Sequence, residues 1–186
     1  MIRLTQMEDR VCLKPDDDTN RFFDEIYRDY FSRIYHYVLY RVNNYHDADD
    51  LSSEIFVKLF AGLHRYHAQQ APLPVWIFTI ARNTVIDYYR RNSRSATPLA
   101  AIPDISDSRP GPDDRAASRE LWQHLQEALA SLSSREREII ALKFWSGFSN
   151  REIAGMIGIS ESHTGVTLFR AMRRLRLILE SRGVEY

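Results

Sequence analysis

The chain has 186 residues, which is enough for one ordinary domain or two small ones. Its 25 Lys and Arg residues balance 25 Asp and Glu residues, so any nucleic-acid binding must come from local basic clusters rather than from net charge. The single cysteine excludes an internal disulfide, and no apolar run approaches the ~20 residues of a membrane span or forms a signal peptide. We therefore expect a cytoplasmic protein without membrane insertion.

The N-terminal segment is polar and lacks helical periodicity, which predicts a flexible leader over residues 1–19. The pattern then changes. Between Phe23 and Val38, apolar side chains (Tyr27 among them) recur at spacings of three and four residues, as on the buried face of a long helix.

Two further helices are predicted before the middle of the chain. Asp47 is a good N-cap for the second helix. Pro72 and Pro74 suit the first turn of the third helix, which we expect to end near Arg91. Together the three helices predict a helical domain over residues 20–93.

A proline-rich stretch follows this domain. Residues 93–117 contain four of the seven prolines and few large apolar side chains, a composition typical of a linker. We predict a flexible linker over residues 94–116. Four aspartates and one arginine between residues 97 and 114 give that part of the linker a net charge of −3.

Helical periodicity resumes after the linker. Ser133 with Glu136, and Ser149 with Glu152, have the spacing of capping boxes, each of which marks the start of a helix. No strand pattern appears. The predicted fold class is therefore all-α, with two small helical domains joined by the linker and the second domain spanning residues 117–182.

The second domain contains the pattern of a helix-turn-helix. A short helix over residues 150–157 is followed by a Gly-Ile-Ser turn and a longer helix capped by Ser160. In this motif the second helix enters the major groove. A plain helical hairpin with a solvated basic face is the alternative. The side chains predicted to contact DNA lie on or beside the outward face of the longer helix: Ser162, His163, Val166, Thr167, Phe169, Arg170, Arg173 and Arg174.

The third helix of the first domain carries aromatic, amide and arginine side chains along one flank. Such a strip can stack on unpaired bases and hold phosphates. A core tryptophan followed by ordinary helix-end charges is the competing interpretation. The members of the strip and its basic end are Trp76, Thr79, Arg82, Asn83, Asp87, Arg90 and Arg91.

The second helix begins with four acids in eight residues. This cluster predicts an acidic docking surface with apolar anchors, although acids also stabilise any helix N-terminus. The adjacent His46 and Asp47 resemble the metal-binding doublet of HD hydrolases, but no further ligands at helical spacing accompany them, so we expect no metal and no cofactor. The predicted docking residues are Asp49, Asp50, Leu51, Glu54 and Phe56.

Three segments, in this order, resemble the extracytoplasmic-function (ECF) sigma factors of bacterial RNA polymerase. DADDLSSEIF is similar to the family's polymerase-binding segment, and PLPVWIFTIARNTVIDYYRR is similar to its promoter-melting and −10-reading helix. Residues 132–175 resemble its −35-reading domain. The resemblance covers roughly residues 20–182 and implies a non-catalytic specificity subunit that directs core polymerase to promoters.

The resemblance also implies roles and partners. The docking residues would contact the clamp helices of the largest polymerase subunit, and the C-terminal domain would contact the flap of the second largest. The strip, with His67 and the loop to residue 71, would open the −10 element and capture a flipped base, a step whose cost a base pocket can offset. The linker would thread the polymerase channel, and an anti-sigma factor would mask the binding faces.

Two departures from the family pattern concern the −35 contacts and the shape of the loop before the third helix. Gly165 and Thr167 stand where members usually carry basic residues, and Pro74 replaces a usually polar residue before the tryptophan. Two other functions remain open at this point. A stand-alone helix-turn-helix regulator would dimerise and bind palindromic duplex DNA. A helical metal phosphohydrolase would require a set of metal ligands.

Overall fold

The computed structural model describes residues 17–94 and 124–183, and every regular element in these ranges is helical, which confirms the predicted all-α class. Most of the predicted leader and linker lies outside the described residues. In the N-terminal half, α1 spans Asp17–Val42, α2 spans Tyr45–Gly62, a single 3-10 turn occupies Leu63–Arg65, and α3 spans Leu73–Arg94.

Four more helices lie in residues 124–183, the described part of the C-terminal half. Helical residues 124–130 belong to α4, while α5 spans Ser134–Phe144, α6 spans Asn150–Ile157 and α7 spans Glu161–Glu180. Both predicted capping boxes are present, at Ser133 with Glu136 and at Ser149 with Glu152. In each box the serine hydroxyl accepts from a backbone N–H that the helix itself leaves unpaired.

The start of α2 differs from the prediction. The N-cap is Asn44, whose side-chain oxygen accepts a hydrogen bond from the backbone N–H of Asp47 at 3.2 Å. The prediction of Asp47 as the cap was therefore wrong by three residues. Asn and Asp are equally good N-caps. Asn44 takes the role because its backbone is extended, whereas Asp47 already lies inside the helix.

The N-terminal helices pack around a common core. The buried side chains come from all three helices, and each is at most 3% exposed: Ile34, Tyr37, Val38, Leu51, Ile55, Leu59, Ile77, Phe78, Ala81 and Val85.

The two halves of the chain pack against each other. Ile139 and Leu142 of α5 and Ile153 of α6 are fully buried in the same apolar cluster as the N-terminal core. A second cluster, formed by α4, α5 and α7, stabilises the C-terminal half from its other side. The sequence predicted two separate helical domains but did not predict this contact between them.

Aromatic rings line the contact. Phe148, in the α5–α6 loop, packs edge-on against Phe78 of α3 with 5.5 Å between ring centroids. Trp145 stacks on His36 of α1 at 4.4 Å. The loop that leads into the helix-turn-helix therefore rests on two helices of the N-terminal domain.

Candidate nucleic-acid and polymerase interfaces

The α6–α7 hairpin has helix-turn-helix geometry. Gly158 ends α6 in the left-handed region at φ +73°, and its N–H donates to the carbonyl of Ala154 at 2.9 Å. The N–H of Ile159 donates to the same carbonyl at 3.1 Å. Ser160 then caps α7 by accepting from the N–H of His163. The turn is thus closed by local hydrogen bonds that fix the angle between the two helices.

One side of α7 is buried and the other faces solvent. Thr164, Ala171, Leu175 and Leu179 point into the domain. On the outward side Val166 is 47% exposed and Phe169 is 68% exposed. We call the outward side the recognition face, and its exposed members are Ser162, His163, Val166, Phe169, Arg170 and Arg173.

Three further α7 residues lie at the margin of this face. Thr167 is half-buried, and Arg174 forms an ion pair with Glu136 at 3.4 Å. A methyl group at Gly165 would meet only the side-chain nitrogen of Asn150, at an ordinary contact distance of 3.5 Å. No close approach therefore requires glycine at this position.

The flank of α3 predicted to contact DNA is open to solvent over most of its length. Thr79, Asn83 and Arg90 are exposed, and Asp87 is half-exposed and pairs with Arg90 at 3.0 Å. These residues recur at spacings of three and four and share one side of the helix. We call these four residues the promoter strip.

The tryptophan predicted to contact DNA from the same helix is packed against its own domain. Trp76 is half-buried between Tyr66, at 5.1 Å between ring centroids, and Gly62. His67 is exposed in the loop between α2 and α3. The tryptophan is therefore neither a full core residue nor a free stacking platform.

Two of the predicted DNA-binding arginines make other contacts. Arg82 directs its Nε atom at Glu138 of α5, 2.8 Å away, on the flank of α3 away from the strip. Arg91 pairs with Glu54 of α2 at 3.3 Å. Glu54 also pairs with Lys58 at 2.6 Å, and the hydrogen bond from Lys58 holds the pKa of Glu54 below its usual value.

The acidic segment of α2 divides into exposed acids and buried apolar residues. Asp49 and Asp50 are exposed, and Glu54 is half-exposed. Leu51 is 3% exposed and Phe56 is 5% exposed, so both belong to the domain core. Burial, followed by the charge of Asp49, raises the pKa of Tyr35 to about 12.

An aromatic surface beside these acids was not predicted. The periodicity placed Tyr27 on the buried stripe of α1, yet it is 46% exposed. Its ring lies 5.1 Å from that of Phe31 and 4.8 Å from that of Phe56. Phe60 and Val57 of α2, in the same N-terminal domain, are also exposed. Aromatic residues in a helix are expected to be buried, so the pattern alone did not separate this group from the core.

Neither a metal site nor a membrane segment emerges from residues 17–94 and 124–183. No group of three or more His, Cys, Asp or Glu side chains in these ranges is arranged to hold a metal ion, and none of their helices could span a bilayer. His46 is exposed, while Asp47 accepts a hydrogen bond from the hydroxyl of Tyr88 at 2.7 Å. That doublet thus takes part in a contact between α2 and α3.

Comparison with known proteins decides the family. The model for Sigma-70 region 2 matches residues 26–95, and that for Sigma-70, region 4 matches residues 122–175. The ECF RNA polymerase sigma factor SigM of Bacillus subtilis is 31% identical over 168 residues, which covers 87% of this chain and 96% of that protein. The chain belongs to the ECF RNA polymerase sigma factors.

Other comparisons agree. The ECF sigma factor SigL of Mycobacterium tuberculosis is 29% identical over 163 residues, which covers 86% of this sigma factor and 89% of SigL. The sigma factor RpoE of Bartonella quintana, solved in complex with the anti-sigma factor NepR, has a TM-score of 0.70 at 22% identity. That match covers 86% of this sigma factor and 98% of RpoE, so the two proteins share their fold.

Proposed function

We propose that this sigma factor is a dissociable, non-catalytic subunit that directs core RNA polymerase to specific promoters in the cytoplasm and opens their −10 region. One observation carries the proposal. The chain exposes two distinct surfaces suited to DNA, the recognition face of α7 and the promoter strip of α3, in the halves that match Sigma-70 regions 4 and 2.

The recognition face suits the −35 element. A second helix of this motif enters the major groove with its N-terminal end. Arg170 and Arg173 supply charge for phosphates, and either can bond two acceptors of one guanine. The exposed side chains of Val166 and Phe169 fit thymine methyl groups, which are the apolar feature of that groove.

The promoter strip suits the −10 element. Asn83 and Thr79 offer hydrogen-bonding groups to base edges, and Arg90 offers charge to the backbone of a single strand. Extruding one base costs a few kcal/mol, which contacts to that base can offset. We assign the half-buried Trp76 to the edge of the proposed base pocket, with His67 in the loop beside it.

The acidic segment of α2 suits the polymerase. Asp49 and Asp50 give it negative charge, and the neighbouring Tyr27, Phe31 and Val57 give it exposed apolar area. Such a surface fits a basic, partly apolar helix pair, so we assign it to the clamp helices of the largest polymerase subunit. The C-terminal domain is assigned to the flap of the second largest subunit.

An anti-sigma factor is the proposed inhibitory partner. RpoE of Bartonella quintana, which shares the fold, was solved with the anti-sigma factor NepR. The exposed aromatic surface on α1 and α2 and the recognition face are the two surfaces of this chain that such a partner would need to cover.

Run-off transcription with core polymerase on a randomised promoter library tests the function. We expect transcripts only when both proteins are present, and enrichment of a two-part promoter motif. Asn83→Ala is expected to weaken the −10 preference, and Asp50→Lys to reduce polymerase binding while leaving the fold intact. Sequence-specific duplex binding by a dimer without polymerase, and no polymerase-dependent enrichment, would show a stand-alone regulator instead.

A further inference from the structure

One buried carboxylate connects the two domains. Glu138 lies in α5 and is 7% exposed. Its Oε1 atom accepts a hydrogen bond from Nε of Arg82 in α3 at 2.8 Å. Its Oε2 atom lies 3.7 Å from Nη1 of Arg41 in α1. A single acid of the C-terminal domain therefore faces two arginines of the N-terminal domain.

These charges depend on one another. Arg41 is 3% exposed, and removing ions from water is costly unless each is paired. Arg41 also donates to the carbonyl of Ser134 at 2.9 Å, where α5 begins. Closing the domains is therefore favourable only in the register that aligns these groups.

A second arginine contact holds the other end of α5. The Nε atom of Arg33 in α1 donates to the carbonyl of Trp145 at 3.2 Å, and one of its terminal nitrogens donates to the carbonyl of Ser146. Both acceptors lie in the loop that follows α5. Polar contacts thus fix both ends of the helix that carries Glu138.

The contact is nevertheless incompletely satisfied. The hydroxyl of Tyr37 and Nε of Arg41 are buried and have no hydrogen-bond partner among the described residues. Burial raises the pKa of Tyr37 well above its ordinary value. Unsatisfied buried polar groups oppose association, so they offset part of what the apolar and charge contacts between the two domains contribute.

Arg82 lies beside the promoter strip in the sequence but does not face the same way. It directly precedes Asn83 of the strip, yet its guanidinium is turned into the domain interface. A carboxylate and a phosphate present similar acceptor oxygens to a guanidinium. Glu138 therefore occupies a place on Arg82 and Arg41 that a phosphate oxygen of a DNA strand would fit once α5 moves away.

We propose that Glu138 is an interdomain latch, and that the pair Arg41 and Arg82 is a phosphate-binding site that the latch keeps closed until the C-terminal domain swings away. The inference rests on the proposed function for its ligand, a DNA backbone phosphate. The latch itself is a property of the free chain and can be measured without polymerase or promoter.

Glu138→Gln in the full chain tests the latch, because it preserves the shape of the side chain and removes the charge. Small-angle X-ray scattering is expected to give a larger radius of gyration. If the open fraction rises tenfold, the apparent Kd for a mixed-sequence single-stranded oligonucleotide falls about tenfold. Glu180→Gln is the matched control, since Glu180 is exposed in the same domain and forms an ion pair with Arg176, one turn away on α7. This control is expected to change the apparent Kd by less than about twofold.

Adding Arg82→Gln to Glu138→Gln is expected to abolish the gain in affinity while leaving the chain expanded. An unchanged radius of gyration in Glu138→Gln overturns the latch, and expansion without tighter oligonucleotide binding overturns the phosphate site. If circular dichroism shows that Glu138→Gln does not fold, Arg82→Gln removes the same ion pair from the side of α3, and its failure to expand the chain overturns the latch.

The outcome is separable from that of the promoter library. An expanded Glu138→Gln chain combined with no promoter enrichment retains the latch and removes the proposed function. Promoter enrichment combined with an unchanged radius of gyration retains the proposed function and removes the latch.

Discussion

Gly158 sets the direction in which the chain leaves α6. Its φ of +73° lies in the left-handed region, which costs a residue with a Cβ atom about 1–2 kcal/mol. We therefore predict that Gly158→Ala lowers the free energy of unfolding by about that amount. Gly155 is the matched control, because it lies inside α6 with open space around it, and alanine there should stabilise by about 1 kcal/mol.

Both variants are to be compared by urea unfolding of the full chain. Equal effects of the two substitutions would contradict a conformational role for Gly158. The same measurement on Gly165→Ala is informative, since its surroundings also admit a methyl group.

The capping box of α6 predicts a dependence of stability on pH. Hydrogen bonds from the hydroxyl and then the backbone N–H of Ser149 hold the pKa of Glu152 below its usual value. A carboxyl whose pKa is lower in the folded state stabilises the fold above its unfolded pKa. This contribution is lost as the pH falls through the folded pKa.

Ser149→Ala is accordingly predicted to cost about 1 kcal/mol at neutral pH and less in acid, where Glu152 is protonated. Urea unfolding at a series of pH values measures the difference between the variant and the parent. Ser53→Ala, at an exposed position inside α2, is the control and should show no such pH dependence. A difference for Ser149→Ala that is constant across pH would exclude the Glu152 carboxylate as a contributor to the effect.

At the scale of the element, helix starts and faces were largely readable from the sequence. Capping boxes and apolar periodicity depend on residues three or four apart, so α5, α6 and the two sides of α7 appear where predicted. Which residues on the flank of α3 face solvent and which face another helix was harder to predict. Asn83 and Arg82 are neighbours on α3, but one faces solvent and the other an acid 56 residues later in the chain.

The recognition face predicts a change in salt dependence. Each phosphate contact that is lost reduces the slope of log K against log salt concentration by about 0.9. For promoter binding by the polymerase holoenzyme, we expect Arg170→Ala and Arg173→Ala each to lower the slope by about this amount if the residue binds phosphate. If either contacts a guanine instead, discrimination at one base pair falls by about 1–3 kcal/mol.

Filter binding or fluorescence anisotropy at several salt concentrations measures both effects. Arg28→Ala, on an exposed part of α1, removes the same charge outside this face and should leave the slope unchanged. An equal change for all three variants would mean that net charge, rather than the recognition face, determines the slope.

At the scale of the whole molecule, the contact between domains was beyond sequence reasoning. A glutamate within a helix is expected at the surface, and nothing local distinguishes Glu138 from the capping glutamates of the same domain. Its burial depends on Arg41 and Arg82, which are distant in the sequence. The burial of two apolar residues on α2 was also not predicted from the sequence. Leu51 and Phe56 were expected to be docking anchors, and both lie in the core.

The continuous core predicts how the molecule unfolds. Phe148 packs on Phe78, and Ile139 and Leu142 are buried with the N-terminal core, so we expect a single calorimetric transition for the parent chain. Removing a buried phenylalanine costs about 3–5 kcal/mol. Phe148→Ala is therefore predicted to lower the melting temperature of the C-terminal half and to split the transition in two.

Phe144→Ala is the matched control, because Phe144 ends α5 and is 57% exposed. It should retain one transition at nearly the parent temperature. Two separate transitions in the parent chain would mean that the domains unfold independently and that their contact is too weak to couple them. A single transition that shifts uniformly in Phe148→Ala would mean instead that contacts other than the Phe78–Phe148 pair maintain the coupling, with Arg33 and Glu138 as the next residues to substitute.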